Sequence, residues 1–176
     1  KNMWGGNLYS PYSHSSMEEL SVIITVYNER HSVVKEIHEE LEKLGIEVII
    51  VDDGSKRPYP KAIKHGVNQG YGSALLTGIK NASRPLIITC DGDGQHSAGD
   101  VVNLYIAWKM MKTCDLLIGT RRLKKEKWYR HFGRKFLNII ASFISFIYLQ
   151  DLNSGMRMFR RSIALGYSEI LCRGFS

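Results

Sequence analysis

Cysteine is scarce in this chain. Only Cys90, Cys114 and Cys172 are cysteines among 176 residues, and no two of them have CxxC spacing. An odd number of cysteines without that spacing indicates neither a disulfide framework nor a zinc cluster. We therefore expect a protein of a reducing, cytoplasmic compartment.

Long apolar runs and common phosphate-binding fingerprints are also missing. The longest apolar segment, FLNIIASFISFIYL at residues 136–149, is shorter than the roughly 20 residues that cross a bilayer. We expect it to form a buried helix or to lie on a membrane surface. No GK[ST] tripeptide is present, which excludes a P-loop, and NQGYGSALLTG has Leu75 where the dinucleotide-binding fingerprint requires its third glycine.

Acidic residues are nearly absent from one segment. Residues 121–135 contain eight Lys or Arg and one Glu, a surplus that equals the net charge of +7 of the whole chain. A concentrated cationic segment indicates an anionic partner at that place, such as a phosphate, a lipid headgroup or a nucleic acid. We expect no nucleic acid, because the acidic side chains at the predicted strand ends would then lie beside its phosphates.

Apolar, β-branched runs alternate with amphipathic segments through residues 18–176, which we expect to form a single domain. The predicted strands lie at residues 20–26, 46–53, 85–91 and 114–120, with a short one within 61–67. The predicted helices lie at residues 31–45, 71–82 and 97–112. This alternation is typical of an α/β fold with a mainly parallel, Rossmann-like sheet and helices on both faces. Residues 1–17, rich in Gly, Ser, Asn and Tyr, are expected to be a flexible arm or a remnant of cloning.

Polar motifs follow the predicted strands at the points where the strands end. They are TVYNE, VDDGS, DGDG and GTRR. Because the carboxyl ends of parallel strands meet at one edge of a sheet, where ligands bind in this class of fold, these motifs are expected to share a site.

The segment TCDGDGQH places two carboxylates, Asp91 and Asp93, at such a strand end. Their mutual repulsion is relieved when a cation lies between them. With the amide oxygen of Gln95 they are suited to Mg²⁺ or Mn²⁺ that also holds a diphosphate. Gly92 and Gly94 are expected to let the backbone approach closely.

Two other interpretations of this segment exist. A calcium-binding loop would need Gly at its sixth position and Glu at its twelfth, where this chain has His96 and Val102. The second alternative, a solvated turn rich in Asp and Gly, stays open on the residues alone.

Taken together, the motifs resemble inverting glycosyltransferases of family 2, which have the GT-A fold. The motifs are SVIITVYNER, VDDGS, NQGYGSALLTG, DGDGQH, GTRR and DLNSGMRMFRR, and they cover residues 20–176. The resemblance is strongest to the branch that uses polyprenyl-phosphate acceptors. Members of that branch continue beyond the point that corresponds to Ser176, so we expect a catalytic domain that is truncated at its C-terminal end.

The resemblance implies roles for individual residues. It implies a UDP- or GDP-sugar donor whose nucleoside is held by Thr25, Tyr27, Glu29 and Asp53, with Asp91 also contacting the donor. It implies that Asp91, Asp93 and Gln95 hold the metal and the diphosphate. It places Arg121, Arg130 and Arg134 on the phosphates of donor and acceptor, and it matches Asp151, Ser154, Gly155 and Arg157 to a D-x-x-S-G-x-R segment.

The acceptor decides which chemistry the protein must supply. A lipid phosphate is ionised at neutral pH and attacks the anomeric carbon without a strong base, so positioning and charge stabilisation suffice. Residues 121–135 would then also hold the protein peripherally at an anionic membrane. A glycan hydroxyl needs a base, for which Asp151 is the candidate. A sugar nucleotidyltransferase and an inactive binding module are further alternatives.

Overall fold

The computed structural model describes residues 17–111, 114–119 and 155–167. Within these residues the chain forms six strands and four helices. The strands are β1 (Leu20–Val26), β2 (Glu47–Asp52), β3 (Ile63–Lys64), β4 (Leu86–Asp91), β5 (Leu116–Ile118) and β6 (Arg157–Arg160). The helices are α1 (His31–Lys43), α2 (Tyr71–Asn81), α3 (Ala98–Met110) and α4 (Arg161–Gly166).

The six strands form one mixed sheet in the order β3-β2-β1-β4-β6-β5. β1 pairs in parallel with β2 on one side and with β4 on the other, so that Val22 lies between Val48 and Ile88. β3 is parallel to β2, whereas β6 is antiparallel to both β4 and β5. The predicted mainly parallel sheet is therefore confirmed, with one antiparallel strand that was not predicted.

Apolar side chains alternate between the two faces of the sheet, and helices cover both. Val22 and Ile24 of β1 pack in one cluster with residues of α1 and α3, which include Leu41 and Tyr105. Ile23 points to the opposite face, where it packs in a second cluster with residues of α2 and α4. Continuous apolarity of β1 follows from this double burial, which is typical of parallel strands. The predicted coverage of both faces is confirmed.

The predicted element ends are close to the observed ones. α1 ends at Lys43, and Gly45 adopts a positive φ of 73° just beyond it, as expected of a glycine that stops a helix. Ser97 caps α3 as predicted. β6 and α4 were not predicted as elements, because the four-residue strand RMFR carries Arg at both ends and shows no apolar run.

Several sequence predictions fall outside the described residues. They concern residues 1–16, the basic segment 121–135, the apolar segment 136–149 and the C-terminal end. Met17, at the end of the predicted arm, is buried in the core with 5% exposure. In the part of the chain that the structure describes, no helix has the length and apolarity needed to cross a membrane.

Candidate functional site

A cleft of about 360 Å³ opens at the carboxyl ends of β1, β2 and β4. Its lining residues are Thr25, Val26, Tyr27, Glu29, Asp53, Asn68, Gly70, Tyr71, Ala74, Asp91, Gly92 and Asp93. The structure thus brings together six of the residues singled out from the sequence: Thr25, Tyr27, Glu29, Asp53, Asp91 and Asp93. Their roles toward a ligand stay predictions.

The loops that follow β1 and β2 are joined to each other by Asn28. Its backbone has a positive φ of 56°, which is uncommon for a residue other than glycine. Its amide N–H donates to Ser55 Oγ over 2.8 Å, and its side-chain Oδ1 accepts from the Lys56 amide over 3.0 Å. Buried Asp52 in turn accepts from the Ser55 amide over 2.8 Å. These bonds fix the loops that carry Tyr27 and Asp53.

Asp53 is buried and holds the segment between β3 and α2. Its Oδ1 accepts from the Gln69 amide over 3.0 Å, and its Oδ2 accepts from the Gly70 amide over 2.8 Å. Oδ1 also lies 2.6 Å from Nδ1 of His65. Gly70 has a positive φ of 90°, a conformation that glycine adopts without strain. Asp53 therefore shapes the wall of the cleft as well as lining it.

Asp91 and Asp93 both line the cleft, as the metal prediction requires. Asp93 Oδ1 accepts from the backbone amide of Gln95 over 2.9 Å, and Oδ2 accepts from the side-chain amide nitrogen of the same residue. Gln95 itself does not line the cleft. Its observed contact orients Asp93, and direct coordination of a metal by its amide oxygen stays a prediction.

The two glycines of this loop permit the predicted close approach. A Cβ on Gly92 would lie 3.0 Å from the carbonyl oxygen of Thr25. Gly94 has a positive φ of 78°, and a Cβ there would lie 2.7 Å from Val33 Cγ1. The DGDG spacing therefore lets the loop pack against β1 and the start of α1 while Asp91 and Asp93 line the cleft.

The donor set fits a cation of the Mg²⁺ type. Among the described residues, no group of three or more His, Cys, Asp and Glu side chains is arranged to hold a metal. Asp91 and Asp93 supply only two carboxylates, which is too few for a closed protein site. Mg²⁺ commonly takes one or two carboxylates and completes its shell with water and substrate phosphates. Such a set therefore fits a metal that arrives with a diphosphate.

Tyr71, the first residue of α2, was not predicted as a site residue. Its hydroxyl forms a hydrogen bond with the side chain of Asp91. Burial raises the pKa of the phenol, and the negative charge of Asp91 raises it further, while Arg157 partly opposes the shift. The phenol therefore stays neutral and donates to Asp91. Tyr71 follows NQG in the sequence, and nothing in the spacing of these residues indicates a contact with Asp91.

Gly155 connects the D-x-x-S-G-x-R segment to the cleft. Its carbonyl oxygen accepts from Thr89 Oγ1 over 2.8 Å, and its α-carbon packs against the side chain of Asp91. Arg157 follows at the start of β6, where it pairs with Thr89 in the sheet register. The remaining predicted residues of the segment, Asp151 and Ser154, lie outside the described residues, as do Arg121, Arg130 and Arg134.

Comparison with known sequences identifies related proteins. The family model described as "Glycosyl transferase family 2" matches residues 21–166. A UDP-N-acetylglucosamine–dolichyl-phosphate N-acetylglucosaminyltransferase of Methanococcus voltae is 30% identical, over 85% of this chain and 72% of that protein. An undecaprenyl-phosphate 4-deoxy-4-formamido-L-arabinose transferase of Proteus mirabilis is 25% identical, over 84% of this chain and 50% of that protein.

Comparison with solved structures identifies the same fold. Glucosyl-3-phosphoglycerate synthase from Mycobacterium tuberculosis, in complex with Mn²⁺ and UDP-glucose, superposes with a TM-score of 0.64. The match covers 87% of this chain and 62% of that one, at 17% sequence identity. A likeness at this identity concerns the fold alone. The chain thus spans a little under two thirds of this solved relative.

Proposed function

Since the chain belongs to glycosyl transferase family 2 and has the GT-A fold, we propose that it transfers a sugar from a nucleoside diphosphate sugar to a polyprenyl phosphate. Two relatives, a dolichyl-phosphate transferase and an undecaprenyl-phosphate transferase, support this acceptor class. The Mn²⁺ and UDP-glucose held by a structural neighbour support the donor class and a divalent metal.

The observation that carries the proposal is the gathering of Tyr27, Asp53, Asp91 and Asp93 around one cleft. In the proposed complex, Thr25, Tyr27, Glu29 and Asp53 contact the nucleoside. Asp91 and Asp93 lie at the diphosphate, where they would hold Mg²⁺ or Mn²⁺. When bound, such an ion neutralises the negative charge that develops on the departing diphosphate.

The reaction we propose inverts the configuration at the anomeric carbon. An ionised oxygen of the acceptor phosphate forms the new bond to this carbon from the side opposite the diphosphate, while the bond to the diphosphate breaks. No proton has to be removed from the acceptor, so the protein contributes orientation and charge stabilisation. Arg121, Arg130 and Arg134 are proposed to bind the phosphates, since guanidinium groups bind phosphate through paired hydrogen bonds.

We also propose where in the cell the protein acts. The basic segment 121–135 would hold the protein at the anionic cytoplasmic face of a membrane, where a polyprenyl phosphate is embedded. Each basic residue near such a surface contributes about 1 kcal/mol of attraction, and salt screens this attraction. Binding to anionic vesicles is therefore expected to weaken as the salt concentration rises.

Calorimetric titration tests the donor side of the proposal. UDP-, GDP- and dTDP-sugars are titrated into the protein with and without Mn²⁺, beside the variant Asp93→Asn. We expect one nucleotide class to bind in a metal-dependent manner and the variant to lose most of that binding. Equal binding by the variant and the original protein would contradict the assignment of Asp93 to the metal.

A product assay tests the acceptor side. The donor that binds is incubated with a short-chain polyprenyl phosphate or with a neutral oligosaccharide, and the sugar-bearing product is identified by mass spectrometry. Transfer to the lipid phosphate supports the proposal. Transfer only to the oligosaccharide would favour the alternative in which Asp151 acts as a base. If the protein is instead given a nucleoside triphosphate and releases inorganic diphosphate, that release would indicate a nucleotidyltransferase.

A further inference from the structure

His65 does not line the cleft, but it contacts two of the elements that form it. It lies directly after β3, and its side chain is 9% exposed. Nδ1 is 2.6 Å from Asp53 Oδ1, and Nε2 is 2.9 Å from Thr77 Oγ1 in α2. Both ring nitrogens therefore have side-chain partners, one next to the end of β2 and the other on the helix that flanks the cleft.

We infer that His65 is a positioning residue for nucleotide binding. It fixes the carboxylate of Asp53 in one orientation and, through Thr77, ties that carboxylate to α2. His65 does not line the cleft, so it acts through Asp53 and not by contact with the ligand. The inference rests on the proposed function, because it assigns His65 to the nucleotide site of that reaction.

The hydrogen bonds of Asp53 indicate why its orientation matters. Oδ1 is shared by His65 and the Gln69 amide, whereas among the described residues Oδ2 accepts only from the Gly70 amide. A carboxylate oxygen accepts about two hydrogen bonds. Oδ1 is thus filled and Oδ2 retains capacity for one more donor, such as an N–H group of a nucleobase.

The protons on His65 follow from its partners. An ionised carboxylate only accepts, so the Nδ1 atom beside Asp53 carries a proton. In the neutral ring Nε2 then accepts from the Thr77 hydroxyl. In that form the hydrogen bonds run in one direction, from the Thr77 hydroxyl through His65 to the Asp53 carboxylate. Loss of the imidazole would leave a buried carboxylate one donor short.

Backbone contacts also hold the segment around His65 against the end of β2 and the loop that follows it. The His65 amide donates to the Asp52 carbonyl over 2.9 Å. A Cβ on Gly54 would lie only 2.5 Å from the amide nitrogen of Asn68, so the loop after β2 packs directly on the segment after β3. The side chain of His65 thus acts within a segment whose backbone is already close to its final position, and its removal should perturb Asp53 more than the fold.

Two substitutions separate hydrogen bonding from packing. His65→Leu fills the space without a donor, whereas the amide nitrogen of His65→Asn can take the place of Nδ1 and keep the bond to Asp53. UDP and GDP are titrated with Mn²⁺, and donor kinetics are measured for the nucleotide that binds. We expect His65→Leu to bind it about tenfold more weakly or worse, since a bond to a charged group is lost. We expect its donor KM to rise more than its kcat falls.

His65→Asn should retain most of the affinity, and this rescue is the distinguishing result. Wild-type affinity in His65→Leu would overturn the inference, as would equal losses in His65→Asn and His65→Leu. His38 provides a matched control, because it is also a buried histidine, 5% exposed, with Tyr59 and Glu42 as partners away from the cleft. His38→Leu should lower the melting temperature without changing nucleotide affinity.

Hydrogen exchange tests the contact without any ligand. His65→Leu should speed exchange of the Gln69 and Gly70 amides, because both donate to Asp53, while His65→Asn and His38→Leu should leave their exchange unchanged. Unchanged exchange in His65→Leu would overturn the inference even in an active enzyme. Failure of the original protein to bind any of the UDP-, GDP- and dTDP-sugars would instead overturn the proposed function.

Discussion

Gly155 packs directly against the carboxylate of Asp91. A Cβ at this position would overlap with both oxygens of that carboxylate, so no other residue fits without displacing Asp91. The carbonyl oxygen of Gly155 is held by the Thr89 hydroxyl, which comes from the same strand as Asp91. The segment that returns to the sheet at β6 therefore sets the position of a carboxylate that faces the cleft.

Gly155→Ala should disrupt the cleft more than the fold. The added methyl group must displace Asp91, and we expect metal-dependent binding of the donor nucleotide to weaken by about tenfold or more. Calorimetry with Mn²⁺ measures this loss. Gly166→Ala is the matched control, since a Cβ there meets nothing within 4 Å, and it should bind as the original protein does. Equal affinity of both variants would show that Asp91 is not required in its present position.

Tyr71→Phe tests whether the phenol orients Asp91. The substitution keeps the ring in the cleft and removes the hydroxyl that bonds to Asp91. Removal of a group that orients a metal-binding carboxylate commonly costs 10-fold to 100-fold in metal affinity, and we expect a loss of about tenfold here. Mn²⁺ titration in the presence of the nucleotide provides the measurement. An unchanged Mn²⁺ affinity would limit Tyr71 to a packing role.

Ser97→Ala should destabilise α3. Ser97 Oγ accepts from the Asp100 amide over 3.2 Å, and Asp100 Oδ2 accepts from the Ser97 amide over 3.0 Å, which forms a capping box. Loss of such a cap costs about 1 kcal/mol of the free energy of unfolding. Urea denaturation measures the change, and Ser97→Thr should retain most of the stability. A Ser97→Ala variant as stable as the original protein would show that the cap contributes nothing.

Glu47 lies at the start of β2, at the end of the strand opposite the cleft. It makes the stability of the protein depend on pH. Burial raises its pKa, but hydrogen bonds from Ser21 and Ser83 outweigh that effect and lower the pKa below its ordinary value of 4.5. A lowered pKa in the folded state stabilises the protein above the unfolded value, and this contribution disappears as pH falls through the folded value.

Glu47→Gln should therefore be less stable than the original protein at neutral pH. The difference is expected to stay below about 1 kcal/mol, because the group is only partly buried and solvent screens its interactions. It should shrink as the pH falls below 4.5. Thermal unfolding of both proteins across this range measures the effect, and a difference that grows in acid would contradict the assignment.

The position of the cleft could be predicted from the sequence, because ligands bind at the carboxyl ends of the strands in parallel sheets. Apolar runs placed Tyr27 and Asp53 just after their strands and Asp91 at the end of its strand, and adjacent parallel strands bring such residues together. Glycine spacing around Asp91 likewise predicted a close backbone approach. These features depend on local pattern and on sheet topology, both of which the amino-acid order encodes.

Contacts between separate elements of the fold could not be predicted from the sequence in the same way. His65 and Tyr71 were not recognised, because their hydrogen bonds to Asp53 and Asp91 join separate elements of the fold and leave no periodic pattern in the sequence. The contact of Gly155 with Asp91 depends on β6, a strand too short and too charged to be identified. Such residues are found only once the distances between separate elements are known.

The antiparallel strand β6 joins parts of the chain that are far apart in the sequence. Ile118 at the end of β5 pairs with Arg157 at the start of β6, and the Gly119 amide donates to the Met156 carbonyl over 3.0 Å. Residues on either side of the segment 120–154 thus lie next to each other, at the strand that pairs with β4. A change at either Gly119 or Met156 would accordingly be felt at the strand that carries Asp91, although the two residues are far apart in the sequence.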